Sequence, residues 1–365
     1  MSTGNGDVLL VGSVPFETVE EVFGTCARKL GAHAFALPDG EIGERSTWVM
    51  ALGNLTYIKN PDIEAITFVP PEDLKSPPSH DPELMKASRS TFRLKPGVTE
   101  TTLDLPYASE ALKSYEVFSR LRSAGNLPAD VRFQVSLPCT HDATSGFFPE
   151  AADRTILKSA YERAIGGEIE EILRHIPADD LVIQWDYCTE LLAILGARDK
   201  LFARVPSGAP ASAEERFENF TSKQYLAPMT EAIPDDVIVG YHLCYGTWGG
   251  WPMGEVEDIG FCVRLANALV ENTPRRVDFL HLPVMEYADD AFFKPLDSLQ
   301  VGDAKVFLGL ELADGVDAMV QRARAARRYL PSFGVSHYCG YGRDDPERVR
   351  RLLDDLRQGA DVLAN

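Results

Sequence analysis

The stretch Val237-Ile-Val-Gly-Tyr-His-Leu-Cys244 begins as a run of apolar, β-branched residues and ends in an imidazole and a thiol. Such a short apolar run is typical of a strand that is buried on both faces, as in a parallel sheet. The residues from 256 to 270 then have the apolar spacing of an amphipathic helix. The stretch therefore predicts one strand–helix unit with reactive side chains at the carboxyl end of its strand.

The same unit recurs along the whole chain. Short apolar runs predict strands at residues 8–11, 34–37, 131–136, 181–185, 237–241, 277–280, 306–309 and 334–336. Longer amphipathic segments predict helices, for example at 17–30, 315–329 and 346–363. Eight strand–helix units predict the α/β class and a single (β/α)8 TIM barrel, which forms one catalytic domain over residues 1–365.

Residues 46–110 interrupt this alternation. The segment has no clean periodicity and is rich in proline, at positions 61, 70, 71, 77, 78, 82, 96 and 106. It follows the second predicted strand and therefore belongs to the barrel face where active sites are built. We interpret it as a long insertion after strand 2 that lines or caps the site. The alternative is a spacer without a functional role.

The composition is that of a globular protein with an acidic balance. The 365 residues are 45% hydrophobic, and 36 Lys and Arg against 55 Asp and Glu give a formal net charge of −19. This charge repels nucleic-acid backbones and anionic membranes, so we expect a small-molecule substrate, and a homo-oligomer is left open. The sequence shows no apolar run that spans a membrane and no export signal at its start. The six scattered cysteines then indicate a reducing, cytoplasmic location.

Reactive side chains gather at the predicted strand ends. Because all eight parallel strands of a barrel end at one face, these groups are expected to lie together. They are Ser13, Asp39, Glu41, Cys139, His141, Asp142, Asp186, Cys188, His242, Cys244, His281, Glu311, His337 and Cys339. Of the cysteines, only Cys26 and Cys262 fall inside predicted helices.

His242 and Cys244 form the core of a predicted metal site. They are two residues apart, so they lie on the same side of an extended segment. Imidazole nitrogen and thiolate sulfur are ligands that zinc prefers. Cys339 and either His281 or Glu311 would complete a tetrahedron. The alternative interpretation is that both cysteines are small buried hydrophobic residues and that His281 is a hydrogen-bonded core histidine.

Two carboxylates form a second group. Glu41 lies in a polar loop that contains glycine, and Asp186 ends the fourth predicted strand. Together they are expected to hold a cationic group or to act as acid and base. Alternatively, Asp39, Glu44 and Arg45 in the same loop pair with one another in a surface network, and for Glu44 we favour this interpretation.

Aromatic residues follow the predicted metal ligands in Trp248-Gly-Gly-Trp251. Trp248 is expected to form a wall for a hydrophobic or aromatic substrate, and the alternative is packing within the loop. The sequence contains no dinucleotide-binding glycine motif, no Walker motif and no G-x-S-x-G motif. The nucleotide-binding and hydrolase classes that depend on these motifs therefore have no support.

Five short motifs resemble those of the C-terminal barrel of cobalamin-independent methionine synthase, in the superfamily that includes uroporphyrinogen decarboxylase. In chain order they are Gly12-Ser-Val-Pro15, Asp39-Gly-Glu41 with Glu44-Arg45, Ile183-Gln-Trp-Asp186, His242-Leu-Cys-Tyr245 and Cys339-Gly-Tyr-Gly-Arg343. The family has Gly-Ser-Phe-Pro, His-Gly-Glu-Phe-Glu-Arg, Ile-Gln-Ile-Asp, His-Met-Cys-Tyr and Cys-Gly-Leu-Lys-Thr-Arg at these places. The matches span nearly the whole chain.

The resemblance implies a zinc-dependent methyl or alkyl transferase that activates a small thiol. It assigns the zinc ligands to His242, Cys244 and Cys339, with His281 where the family has a glutamate. A histidine at that place remains a zinc ligand type, but it changes the charge of the site by about one unit because a metal-bound imidazole is neutral.

The resemblance also implies that Gly12, Ser13, Glu41 and Asp186 hold an amino-acid substrate. Zinc would lower the pKa of the substrate thiol, and the thiolate would attack the alkyl donor. Three features depart from the family. Asp186 is followed by Tyr-Cys188 rather than Glu-Pro, and Trp248-Gly-Gly-Trp251 extends the loop after the metal pair. In addition, 365 residues leave no room for the N-terminal duplicate barrel of folate-dependent members. The alternatives are a lyase or decarboxylase of the same superfamily, or a barrel that only binds.

Overall fold

A computed structural model describes residues 7–197 and 212–364 of the chain. Its strands, numbered in chain order, are β1 (Val8–Leu9), β2 (Ala36–Pro38), β3 (Ile63–Thr67), β4 (Thr91–Leu94), β5 (Arg132–Pro138), β6 (Leu181–Tyr187), β7 (Ile238–Leu243), β8 (Phe279–Pro283), β9 (Lys305–Glu311) and β10 (Gly334–His337). Strands β3 and β4 form a separate hairpin, and the other eight match the predicted strands to within three residues at each end. The first six residues, which bear on the prediction of location, lie outside the described residues.

The eight remaining strands form one parallel sheet. Their order is β1-β10-β9-β8-β7-β6-β5-β2, and every hydrogen-bonded pair in it is parallel. Isolated parallel bridges from Val8 to Ala34 and from Ser13 to Gly40 join the two end strands, so the ring is nearly closed. The predicted single (β/α)8 TIM barrel is therefore confirmed.

Helices surround the barrel. The longer ones are Val19–Leu30, Tyr107–Ser123, Ala151–His175, Gly260–Asn272, Val316–Ala326 and Pro346–Ala364, and the shorter ones are Leu52–Leu55, Pro82–Ala87, Thr140–Ser145, Thr189–Ile194, Ala213–Phe220, Lys223–Thr230 and Asp290–Phe293. The helix Val19–Leu30 begins after Thr18, whose hydroxyl accepts a hydrogen bond from the N–H of Glu21. This bond satisfies one of the amide groups that the start of a helix leaves free. In the part of the chain that the structure describes, no helix has the length and apolar character needed to cross a membrane.

The barrel interior is layered along its axis. Six apolar side chains pack together at the end where the strands begin: Leu9, Ala36, Val182, Ile238, Phe279 and Phe307. In the middle, the side-chain amides of Gln134 and Gln184 donate to the backbone carbonyl of Val11 at 3.0 and 2.6 Å. The apolar layer closes one end of the barrel, and the polar side chains lie towards the carboxyl ends of the strands, where barrels of this type hold their active sites.

The segment 46–110 contains more regular structure than its sequence predicts. Although the proline-rich stretch shows no periodicity, β3 and β4 pair as an antiparallel hairpin within it. Phe92 of this hairpin packs against the rings of Tyr57, Phe147 and Phe148, and its N–H donates to the carbonyl of Phe147 at 2.8 Å. Aromatic packing thus supplies the order that the sequence pattern does not show.

Candidate metal centre and substrate cavity

A cavity opens at the carboxyl ends of the barrel strands. Its volume is about 1090 Å³, including the space at its mouth. Eight of the nine site residues predicted from the sequence line it: Gly12, Ser13, Glu41, Asp186, His242, Cys244, Trp248 and Cys339. The ninth, His281, is completely buried and is in contact with His242. Residues 47–50 and Arg89, from the segment 46–110, also line the cavity.

The strand register brings the predicted ligands to one level of the barrel. Asp186 in β6 pairs with His242 in β7, and His242 pairs with His281 in β8. Cys244 continues the ladder one residue past β7, where its N–H donates to the carbonyl of Tyr187 at 3.2 Å. His242 and Cys244 therefore point to the same side, as their spacing predicts.

Three side chains form a group that suits zinc. The ligand atoms of His242, Cys244 and Cys339 all lie within 4.8 Å of one another, and the two sulfurs are 3.6 Å apart. Two Zn–S bonds of about 2.3 Å at the tetrahedral angle would place their sulfurs ~3.8 Å apart. The spacing of the two sulfurs thus fits a zinc ion, and the three groups would supply three of its four ligands.

The two thiols are protonated in the metal-free protein. Hydrogen bonds in which they act as donors, together with burial, raise the pKa values of Cys244 and Cys339 well above 9.0. A thiol that coordinates a metal ion is deprotonated. Metal binding at this group would therefore release protons and would depend on pH.

His281 lies behind His242 rather than within the group. Its Nε2 is 3.0 Å from the carbonyl oxygen of His337, which can only accept, so Nε2 carries the hydrogen. Burial lowers the pKa of His281 to about 3, so the ring is neutral and its Nδ1 is an acceptor. The Nδ1 of His242, 2.7 Å away, is therefore the donor. This bond leaves the Nε2 of His242 with a lone pair for a metal ion.

Glu311, the other predicted candidate for the fourth ligand, is also outside the group. One of its oxygens accepts the N–H of Ala313 at 2.6 Å, and the other lies 3.8 Å from Nε2 of His337. Burial raises its pKa to about 7. Of the four predicted zinc ligands, the structure thus brings three together, and neither His281 nor Glu311 stands beside the two sulfurs.

If His242, Cys244 and Cys339 hold a zinc ion, replacing His281 with alanine is expected to weaken zinc binding by ~10–100-fold, because outer partners that orient a metal-bound histidine contribute about that much. The number of metal–sulfur bonds should not change, since both thiols remain. Competition with a chelator measures the affinity, and the absorbance of cobalt-substituted protein measures the thiolate bonds. His175→Ala, at the exposed end of the helix Ala151–His175, is the control. An affinity that His281→Ala leaves unchanged would contradict the orienting role.

Glu41 is held in an unusual backbone conformation at the cavity. Its φ of 51° lies in the left-handed region, which costs a non-glycine residue about 1–3 kcal/mol. Its N–H donates to Asp39 at 3.0 Å. Asp39 pairs with Arg45 at 2.7 Å, as the ion-pair interpretation predicts, but this pair is largely buried and is not part of a surface network. The hydroxyl of Ser13 donates to the Glu41 carboxylate. These bonds fix the carboxylate in the wall of the cavity.

Asp186 lines the same cavity and interacts with Glu41. The side-chain amide of Gln184 donates to its Oδ1 at 2.8 Å. Burial raises the pKa of Glu41 to about 7. Burial and the charge of Glu41 raise the pKa of Asp186 well above its usual range. Two buried carboxyl groups that repel each other when ionised make a favourable place for a cation.

Replacing Glu41 with glutamine is expected to stabilise the protein above neutral pH. The pKa of Glu41 rises from 4.5 to about 7 on folding, so its contribution to stability is present below pH 4.5 and is lost as the pH rises through 7. Glutamine keeps the shape of the side chain without its charge. The gain in the free energy of unfolding above pH 7 is at most about 3 kcal/mol. Chemical unfolding should show a much larger gain at about pH 8 than at about pH 5. Glu44→Gln, an exposed change in the same loop, should show no such difference.

Other cavity residues were not assigned to the site from the sequence. They are Trp48, Arg89, Asp142, Cys188 and Arg343, among others. Asp142 and Cys188 belong to the strand-end groups, so their position was predicted but not their role. Trp48 has a φ of 52°, which is a property of the folded backbone and gives no sign in the sequence.

Trp248 connects the cavity to the segment 46–110. Its ring lines the cavity, as predicted for a wall residue. Its indole N–H donates to the hydroxyl of Ser88 at 2.8 Å, and the N–H of Gly249 donates to the hydroxyl of Ser76 at 2.9 Å. The loop after the metal pair is therefore tied to the segment 46–110, so Trp248 takes part both in the cavity wall and in loop packing.

Comparison with known proteins identifies the fold. No protein-family model matches the sequence, and the comparison with curated proteins finds no match. The B12-independent methionine synthase from Shewanella sp. W3-18-1, solved in complex with selenomethionine, is 12% identical with a TM-score of 0.61, over 98% of this chain and 97% of that chain. The "Putative Vitamin-B12 Independent Methionine Synthase" from Listeria monocytogenes is 14% identical with a TM-score of 0.54, over 97% and 96% of the two chains.

These likenesses confirm the predicted resemblance at the level of the fold. The chain has the barrel of the cobalamin-independent methionine synthase structures, matched almost from end to end. The match covers 97% of the Shewanella chain, so the 365 residues of this protein are close in length to that methionine synthase.

Proposed function

We propose that the protein is a zinc-dependent methyl or alkyl transferase that activates a small thiol substrate. The observation that carries this proposal is the group of His242, Cys244 and Cys339 in the wall of a cavity at the carboxyl end of the barrel. Three protein ligands with nitrogen and sulfur donors are typical of a catalytic zinc site. The Shewanella methionine synthase, which has the same fold, was solved with selenomethionine, a methylated amino acid, and this supports the same class of chemistry here.

His242, Cys244 and Cys339 would hold the zinc ion. When bound, zinc lowers the pKa of a thiol beside it, so that a thiolate nucleophile is available at neutral pH. The apolar side chains of Phe147 and Leu192 line the same cavity and exclude water from the sulfur. A thiolate without a full hydration shell is the stronger nucleophile.

Glu41 and Asp186 would bind and orient the substrate. An ammonium group between them would lower both raised pKa values and restore the ionised carboxylates. Because Asp186 pairs with His242 across the neighbouring strands β6 and β7, the ammonium site would lie beside the metal group. The substrate class is therefore a small thiol with an amino group a few bonds from the sulfur. Gly12 and Ser13 line the same cavity, and their backbone polar groups would bind the remainder of the substrate.

Metal content and thiol alkylation together test this proposal. The purified protein is expected to hold about one zinc ion per chain. Removal of the metal should abolish transfer of a methyl or alkyl group to an amino thiol, and added zinc should restore it. A reaction that needs neither a thiol nor zinc would contradict the proposal and would favour a lyase or decarboxylase of the same superfamily.

A further inference from the structure

His337 ends strand β10, two residues before Cys339. The same spacing joins His242 and Cys244 at the end of β7, yet His337 is not among the side chains whose ligand atoms gather in the metal group. The pairing of β10 with β9 shifts its register between Val335 and His337. Irregularities of this kind re-aim a side chain beside a site. The sequence pattern of a ligand pair thus recurs at β10, but its histidine makes different contacts.

The ring of His337 is buried and hydrogen-bonded. It is 3% exposed and packs against the rings of Tyr338 and Tyr341, with centroid distances of 4.1 and 4.4 Å. Its Nδ1 lies 2.7 Å from the backbone carbonyl oxygen of Cys339. Because that oxygen can only accept, Nδ1 carries the hydrogen, and the N–H of Cys339 is the longer contact at 3.4 Å. The bond fixes the backbone from which the Cys339 thiol projects.

This bond completes a chain that begins and ends at members of the metal group. The Nδ1–H of His242 donates to His281 at 2.7 Å, and the Nε2–H of His281 donates to the backbone carbonyl of His337 at 3.0 Å. The side chain of His337 then donates to Cys339. The three bonds join the ends of β7, β8 and β10. The position of Cys339 relative to His242 therefore depends on them.

The loop that carries Cys339 is also held on its other side. The N–H of Tyr341 donates to the carbonyl of Ser13 at 2.8 Å, and a Cβ added to Gly340 would lie only 3.2 Å from the Cβ of Ser13. Of the three residues in the metal group, Cys339 alone is only partly buried. Its position therefore depends more on the hydrogen bonds of its loop than on surrounding core packing.

We propose that His337 is a positioning residue of the metal site, whose Nδ1–H holds Cys339 where the thiol can share a zinc ion with His242 and Cys244. The inference rests on the proposed function, because the metal ion is the same one. It adds to the sulfur side of the group what His281 does for His242. Outer partners that orient a metal ligand contribute ~10–100-fold to the affinity. His337 itself makes no bond to the metal, so the number of metal–sulfur bonds does not depend on it.

Two substitutions of His337 separate the hydrogen bond from the volume of the ring. His337→Leu removes the N–H, whereas His337→Asn restores one, because the side-chain nitrogen of asparagine and Nδ1 of histidine occupy the same place relative to Cβ. We expect His337→Leu to weaken zinc binding by ~10–100-fold in competition with a chelator and to shift the absorbance of the cobalt-substituted protein. His337→Asn should keep most of the affinity. An equal loss in both variants would overturn the proposal.

Tyr341→Phe is the matched control. It removes a buried hydroxyl from a ring that packs against His337, and within the described residues this hydroxyl has no hydrogen-bond partner. The control should change neither the zinc affinity nor the cobalt spectrum. A loss as large as that of His337→Leu would show that any change in this loop disturbs the metal, and it would overturn the specific role of the Nδ1–H.

The tautomer of His337 tests the proposal in the wild-type chain, even where a variant fails to fold. NMR of the isotope-labelled protein distinguishes a hydrogen on Nδ1 from one on Nε2, and we expect it on Nδ1 of His337 and on Nε2 of His281. A hydrogen on Nε2 of His337 would overturn the proposal and leave the proposed function intact. Unchanged zinc affinity in His337→Leu would do the same. A wild-type chain that binds no zinc would overturn both.

Discussion

The Cys244→Ser variant is expected to lose its stoichiometric zinc and at least ~10³-fold of kcat in thiol alkylation. Cys244 supplies one of the two sulfurs that lie 3.6 Å apart in the proposed zinc site. A serine hydroxyl does not ionise at neutral pH and is not a donor that zinc prefers. Metal assistance lowers the activation free energy by several kcal/mol, and each ~1.4 kcal/mol corresponds to about tenfold in rate. Atomic spectrometry measures the zinc, and turnover at saturating thiol measures the rate.

The pH dependence of this defect identifies its cause. A free thiol with a pKa of ~8.5 ionises without help as the pH rises, so the deficit of Cys244→Ser should shrink in alkaline solution. Cys26→Ser is the control, since Cys26 is buried in the helix Val19–Leu30 and burial raises its pKa to about 12. It should keep its zinc and its turnover. Wild-type zinc content and turnover in Cys244→Ser would rule out the transferase.

The position of the site could be predicted because of how parallel barrels are built. Reactive side chains stood at the ends of predicted strands, and a barrel collects all carboxyl ends at one rim. Glu41, Asp186 and His242 could therefore be assigned to one cavity although they are far apart in the chain. The spacing of His242 and Cys244 likewise fixed their common direction, since it depends only on strand geometry.

The partners of these side chains could not be predicted in the same way. The role of His281 depends on which ring nitrogen meets which neighbour, and three strands together determine that. The pairing of Asp186 with His242 depends on the register between β6 and β7, which hydrophobic periodicity does not give. The left-handed backbone at Trp48 has no cause within its own stretch of sequence, so it too required the structure.

The second large effect is expected from Glu41→Gln, which should lower kcat/KM for an amino thiol by ~10–100-fold. A hydrogen bond between charged groups contributes about 1.5–3 kcal/mol, and glutamine offers the substrate ammonium only a neutral oxygen. The same substitution is expected to stabilise the fold above neutral pH, because it removes a buried charge. A loss of activity would therefore not result from unfolding. The Glu41 carboxylate would then be a binding group that lowers the stability of the fold.

The pH profile and the choice of thiol show which group Glu41 acts on. With a pKa of about 7, Glu41 is protonated below that pH, so kcat/KM of the wild-type protein for an amino thiol should rise as the pH increases through 7. In Glu41→Gln this rise should be absent. The same thiol without its amino group is the matched control, because it places no charge on Glu41, and both proteins should alkylate it at similar rates. If the two proteins differ equally with both thiols, Glu41 acts on the sulfur or on the metal site, and its assignment to the ammonium group is wrong.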